Sequence, residues 1–278
     1  MTMTAAYPRA TEPRPRFSDL VAAEWIKLRS LRSTWLGYGA TALAVIGFNV
    51  GTAYDTYHYW SEEDAGDRAD FVRDGIPLQE AFTGNAATVM VLALGALGAM
   101  AVLGEYASGT IRTTFAAVPA RRSVMAAKAV VVTAVTAVFG AFVAGVSFAA
   151  TQAILDRRGL GVSLGDPGAL RVVVASALLA PLCALVGLAL GTVLRQTAAT
   201  MVASVVVLLV LPVALTDGRH WSAVASHSTL YQAWTRLVSV AYHPLHHPWT
   251  IAGAWTVYGV WAVAAAVIAV AAVHRRDQ

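Results

Sequence analysis

Charge is what this sequence has least of. Only 13% of its 278 residues are Asp, Glu, Lys or Arg, while 57% are hydrophobic. A soluble domain carries about 25% charged residues. So little charge cannot cover a water-facing surface, which excludes an ordinary soluble fold and predicts a chain solvated by lipid. Cysteine is nearly absent as well. Cys183 stands alone, so no internal disulfide can form and the residue says nothing about redox compartment. Lysine is scarce beside arginine, 2 against 18. With abundant Ala and Val, that bias fits a GC-rich bacterial genome.

Several chemical signatures are missing. There is no G-x-x-x-x-G-K-[ST] phosphate loop, so the chain does not bind ATP in that way. H-E-x-x-H, C-x-x-C and G-x-S-x-G are also absent, which removes the usual zinc, dithiol and serine-nucleophile sites. No apolar block has an Asp, Glu, Lys or Arg in its middle. Ion-coupled antiporters keep such groups at mid-membrane, so their absence counts against that class and against an intramembrane enzyme. No catalytic, cofactor-binding or metal-binding residue is expected. The formal charge of +4 does not imply nucleic acid, because the basic residues fall at the ends of apolar blocks, where membrane orientation places them.

What is present is a succession of long apolar blocks. Residues 1–16, with Pro8, Pro13 and Pro15, read as a disordered tail. Over 17–35 the residues Phe17, Leu20, Val21, Trp25, Leu28, Leu31 and Trp35 recur at helical spacing, with Glu24, Lys27, Arg29 and Arg32 between them. That pattern predicts an amphipathic helix in the headgroup layer. Six blocks follow at 36–53, 82–103, 124–154, 172–194, 197–215 and 251–273. Each is near or above the roughly 20 residues that cross a bilayer. The third is over-long, so its first turns around Lys128 are expected to project into the cytoplasm. Only Arg195 and Gln196 separate the fourth and fifth blocks.

Placing both termini inside puts 13 basic and 5 acidic residues on the inner side, net +8, and leaves 7 basic and 11 acidic outside, net −4. The positive-inside rule therefore favours cytoplasmic termini; Arg157 and Arg158 run against it. Gly47 and Gly51, and likewise Gly187 and Gly191, lie four residues apart and could let helices approach closely. The outer segment 217–250 holds Tyr231, Trp234, Leu237 and Val238 on one helical face, predicting a short re-entrant or interfacial helix. It also holds His220, His227, His243, His246 and His247. Pro244 and Pro248 interrupt that tract and acids are scarce, so metal binding is not expected.

The segment 105–122 carries the functional signal. The chain runs Gly104-Glu105-Tyr106-Ala107-Ser108-Gly109-Thr110-Ile111-Arg112, then Val118-Pro119-Ala120-Arg121-Arg122. A Glu, a Gly-Thr-[Ile/Leu]-[Arg/Lys] run and a Pro with basic residues before the next span resemble the permease subunit of type-2 ATP-binding-cassette (ABC) exporters. The Glu24-Trp25-Ile26-Lys27-Leu28 entry and the Arg195-Gln196-Thr197-Ala198 hairpin are similar to that family too. The segment 217–250 is longer and richer in His than the family pattern.

The resemblance implies an all-α membrane protein of six spans behind an interfacial helix, in a bacterial cytoplasmic membrane. It implies a separate ATPase subunit that binds the ATP, and a second permease subunit, identical or related. It also implies a coupling helix near 108–115, with Glu105, Gly109, Thr110, Arg112, Arg121 and Arg122 as the coupling residues. Glu105 and Arg112 would brace that helix against the entry helix and its Trp25, Lys27, Arg29 and Arg32. The alternative is a membrane anchor or immunity-type protein that binds a partner and transports nothing.

Overall fold

The computed structural model describes residues 15–215, 219–240 and 247–273. Most of the tail expected at 1–16, the C-terminal Arg275 and Arg276, and His243 and His246 lie outside the described residues. Every regular element among those described is helical. Six stretches are long and apolar enough to cross a membrane: Arg32–Tyr59, Ile76–Ser108, Arg121–Arg158, Ala169–Leu194, Thr197–Ala214 and Ile251–Ala271.

The entry helix α1 spans Phe17–Ser30 and opens with Asp19 reaching back to the Arg16 amide at 2.9 Å. The backbone becomes extended at Leu31, and α2 (Arg32–Tyr59) begins at the next residue. The break falls earlier than the apolar pattern placed it, so Arg32 and Trp35 belong to the spanning helix. Their own periodicity could not separate two helices joined by a single extended residue.

The loop after α2 contains α3 (Ala65–Arg73) and α4 (Ile76–Gln79). Asp64 caps α3 by accepting from the Gly66 and Asp67 amides at 2.7 and 2.9 Å. Those two bonds hold its carboxyl below the usual range. The second span is α5 (Gly84–Ser108), capped by Thr83. A short helix, α6 (Thr110–Ala117), leads to α7 (Arg121–Leu155).

The centre of the bundle is α8 (Ala169–Leu194), whose apolar window is 78% buried against 22% for the last span. It packs on α5, α7 and the last span. Small residues make these contacts possible. A Cβ on Gly98 would lie 2.0 Å from the Ala184 carbonyl oxygen, and one on Gly187 would lie 1.9 Å from that of Gly95. Pro181 deprives the Ala177 carbonyl of its intrahelical donor. Gly140 of α7 lies against that same oxygen, where a Cβ would come within 2.1 Å. The Gly47 and Gly51 pair has no such role within the chain, since a Cβ there meets nothing within 4 Å.

Arg195 turns the chain with φ 55°, and α9 (Thr197–Val205) follows. A π-helical turn, Val206–Val210, then leads into α10 (Leu211–Ala214). Pro212 explains the turn: it cannot donate to the Leu208 carbonyl, and the ladder widens to compensate. The segment after α10 forms α11 (His220–His227) and α12 (Leu230–Val238), and α13 (Ile251–Ala271) is the last span. The helix α12 buries Leu230, Ala233, Trp234, Leu237 and Val238. Its Trp234 indole donates to Ser176 of α8 at 3.1 Å, so the helix is wedged into the bundle rather than resting on it.

Polar residues pin the spans at depth. Asn49 donates to Ser147 at 3.0 Å and accepts from the Thr83 amide and hydroxyl at 2.9 and 3.1 Å, tying α2, α5 and α7 together. Gln152 bridges the Pro77 carbonyl and the Val162 amide at 2.9 and 2.8 Å. Arg158, an exception to the charge rule, lies 4.6 Å over the Tyr57 ring and donates to its carbonyl.

Candidate functional site: a buried charge junction beside α6

Four charges from three helices meet where α1, α5 and α7 converge. Lys128 of α7 donates to Glu24 Oε2 at 2.5 Å and to Glu105 Oε1 at 2.9 Å. Lys27 donates to Glu24 Oε1 at 2.6 Å and to Glu105 Oε1 at 3.0 Å. The Lys128 and Glu24 side chains are 5% and 4% exposed. Two cations and two anions are thus interleaved, which is the arrangement that makes buried charge tolerable. Burial alone would lower the Lys27 pKa; hydrogen bonding and attraction from Glu24, then Glu105, raise it above its ordinary 10.5.

Lys128, in the first turns of the third span, is buried at 4% exposure. One sequence expectation needs correction here: Glu24 does not sit on a solvated face, for the buried side of α1 is Leu20, Glu24 and Leu28, while Trp25 and Ile26 are exposed. Both are buried because each meets a counter-charge from a helix 104 residues away. Neither residue stood among the expected site residues. The available signal was Glu24 beside Lys27 and an acid at 105 near a lysine at 128, but no spacing rule joins them.

Gly109 ends α5 and starts α6 in one residue, with φ 73°. That left-handed conformation suits glycine and lets α6 leave the α5 axis sharply. Thr110 accepts from the Thr113 and Thr114 hydroxyls through its carbonyl, at 2.8 and 3.0 Å, which closes the short helix locally. Ile111 is buried and anchors α6.

Arg112 does not join Glu105. It is exposed, and among the described residues its side chain forms no hydrogen bond or ion pair. It lines a recess of about 640 Å³ together with Tyr106, Phe115, Arg121 and Arg195. Arg121 lies 5.3 Å over the Phe115 ring, and Arg195, from the turn after α8, lies 5.2 Å over the Tyr106 ring. Arg122 is exposed, as are Arg29 and Arg32. The recess therefore presents basic groups on an aromatic floor, next to a junction that ties the end of α5, from which α6 departs, to the entry helix through Glu105.

No three His, Cys, Asp or Glu residues are grouped to hold a metal ion among the described residues. His227 stacks on Trp249 at 4.5 Å, and His220 lies 5.4 Å from His247.

Six helices long and apolar enough to cross a membrane, joined among the described residues by short helices and turns, are the architecture of a multi-pass membrane protein. A sequence model of the family described as "ABC-2 family transporter protein" matches residues 20–214. The chain belongs to that family, and it is an ABC transporter permease. The match begins in α1 and ends with α10, so it takes in the charge junction, α6 and the basic recess. No curated protein gives a match to the chain.

Proposed function

We propose that this chain is the membrane-spanning half of an ATP-driven exporter, with α6 as the helix that docks on a separate ATPase subunit. The observation that carries this reading is the junction itself. Glu105, at the end of α5 just before α6, pairs with Lys27 of α1 and Lys128 of α7, and Glu24 joins the same two lysines. A push on α6 would then move the entry helix and two spans together. ATP must favour one of two arrangements of the spans for work to be done, and a stiff link is what would transmit that preference. The basic recess at Arg112, Arg121 and Arg195 complements an acid-lined surface.

In this reading two permease subunits, identical or related, flank the path and two ATPase subunits lie below. The termini face the cytoplasm of a bacterial cell, and the chain itself performs no hydrolysis. The apolar blocks favour a lipid-like, amphipathic or hydrophobic cargo.

The test is to purify the complex of two variants and measure subunit ratio, ATP turnover and cargo efflux. Arg112→Glu reverses an exposed charge and should leave expression intact while weakening ATPase association about 10- to 1,000-fold, the scale of a lost interfacial charge pair. Glu105→Ala should leave the subunits assembled but lower efflux relative to ATP hydrolysis. Normal assembly and efflux in both variants would return the chain to the passive anchors that bind a partner and transport nothing.

A further inference from the structure

The charge junction also forms one end of a cavity of about 450 Å³ between α1, α2, α5 and α7, a volume within the range of ligand sites. Its other walls are apolar, chiefly Leu28, Tyr38, Leu97, Met100 and Val131. From Gly104 to Leu97 the lining follows α5 for about 10 Å. Leu31 and Met100, at its rim, are 50% and 46% exposed, so the cavity opens sideways between helices that lead into or cross the membrane. Charge lies at one end and hydrocarbon at the other.

The hydrogen-bonding inventory of the charged end is incomplete in both signs. An ammonium has three N–H donors. Lys27 and Lys128 each spend two of theirs on the carboxylates. Both lysines crowd onto Glu105 Oε1, and Glu105 Oε2 accepts from no described residue. The junction therefore offers N–H donors and a carboxylate oxygen side by side, with a net charge of zero.

We propose that this cavity binds one zwitterionic aminophospholipid. Its phosphate takes the spare lysine N–H groups, its primary ammonium donates to Glu105 Oε2, and its chain leaves along α2 and α5 past Leu31 and Met100. An anionic head is disfavoured because the two carboxylates cancel the two lysines. A choline head is disfavoured because a quaternary nitrogen has no N–H to give to Oε2. A small water-soluble zwitterion would leave the apolar wall uncovered. The inference stands on the cavity and does not require that α6 dock on an ATPase.

The test uses the full chain in nanodiscs of equal phosphatidylethanolamine, phosphatidylcholine and phosphatidylglycerol, followed by delipidation and native mass spectrometry. Wild type should retain one phosphatidylethanolamine per chain, about tenfold over phosphatidylcholine, the scale of one charge-assisted hydrogen bond. Gly104→Leu fills the cavity from a position where a Cβ meets nothing within 4 Å. It should keep the wild-type unfolding temperature and lose the retained lipid. Glu105→Gln should bring the two zwitterionic lipids to about equal retention. Undiminished retention in a folded Gly104→Leu protein, a preference for phosphatidylglycerol, or no lipid surviving delipidation would each overturn the proposal.

Discussion

Lys128 is held by two carboxylates, Glu24 and Glu105, that reach it from different helices. Removing one partner of such a set leaves the others buried without compensation, which costs about 3–5 kcal/mol. Replacing both members of a pair by neutral groups costs far less, because the desolvation penalty goes with the charge. Lys128→Met should therefore lower the unfolding temperature sharply, and Glu24→Gln with Lys128→Met should recover at least half of the loss. A Lys128→Met protein as stable as wild type would mean that the junction adds nothing to the fold. Lys27 is more forgiving, since its side chain is 39% exposed and water can replace part of what Glu24 and Glu105 supply. At this scale the sequence was legible only in part. Glu105 stood out by its motif, but the burial of Glu24 and Lys128 did not, because polarity in one dimension does not reveal a counter-charge brought in by folding.

At the scale of helices, two glycine pairs with the same spacing have different fates. Gly187 lies against the Gly95 carbonyl at the contact of α5 and α8, whereas Gly51 meets nothing. A methyl group at 187 must push two packed helices apart, an overpacking cost of about 1–3 kcal/mol or more. At 51 it only raises helix propensity, by up to about 1 kcal/mol. Gly187→Ala should thus unfold at lower denaturant than wild type, and Gly51→Ala at the same or higher. Equal effects would show that the α5–α8 contact is looser than its geometry. The segment after α10 offers a similar lesson. Its aromatic stripe predicted a short helix, and α12 carries that stripe, yet it is tertiary contacts, the Trp234–Ser176 and Gln232–Pro212 bonds among them, that place the helix inside the bundle. The acidic loop after α2 was legible as polar, but not as α3 and α4. Asp64 is a capping residue whose meaning depends on the two amides it accepts.

For the molecule as a whole, the charge asymmetry and the junction bear on one question, which face is which. With Cys183 replaced, cysteines at the exposed positions Glu62 and Leu164 should react with an impermeant thiol reagent on intact cells. A cysteine at Ser108, beside α6 at the other end of the bundle, should react only after the membrane is opened. Ser226, in the segment between α10 and α13, is buried and would be a poor reporter of either face. Labelling of position 108 from outside would invert the orientation, and no cytoplasmic ATPase could then reach α6.

The six spans, their order and the motif between the second and third were set by the sequence itself. Segment length and apolar content are properties of a local stretch, and a bilayer selects on them directly. The tertiary structure decided everything that needs two distant segments: the pairing of Glu24 with Lys128, the outward turn of Arg112, the glycine contacts that make α8 the central helix, and the cavity beneath the junction. Those features depend on which helix faces reach one another. Lipid is as apolar as the side chains it would otherwise solvate, so hydrophobicity alone cannot choose among the faces, and close packing with polar pairing makes the choice.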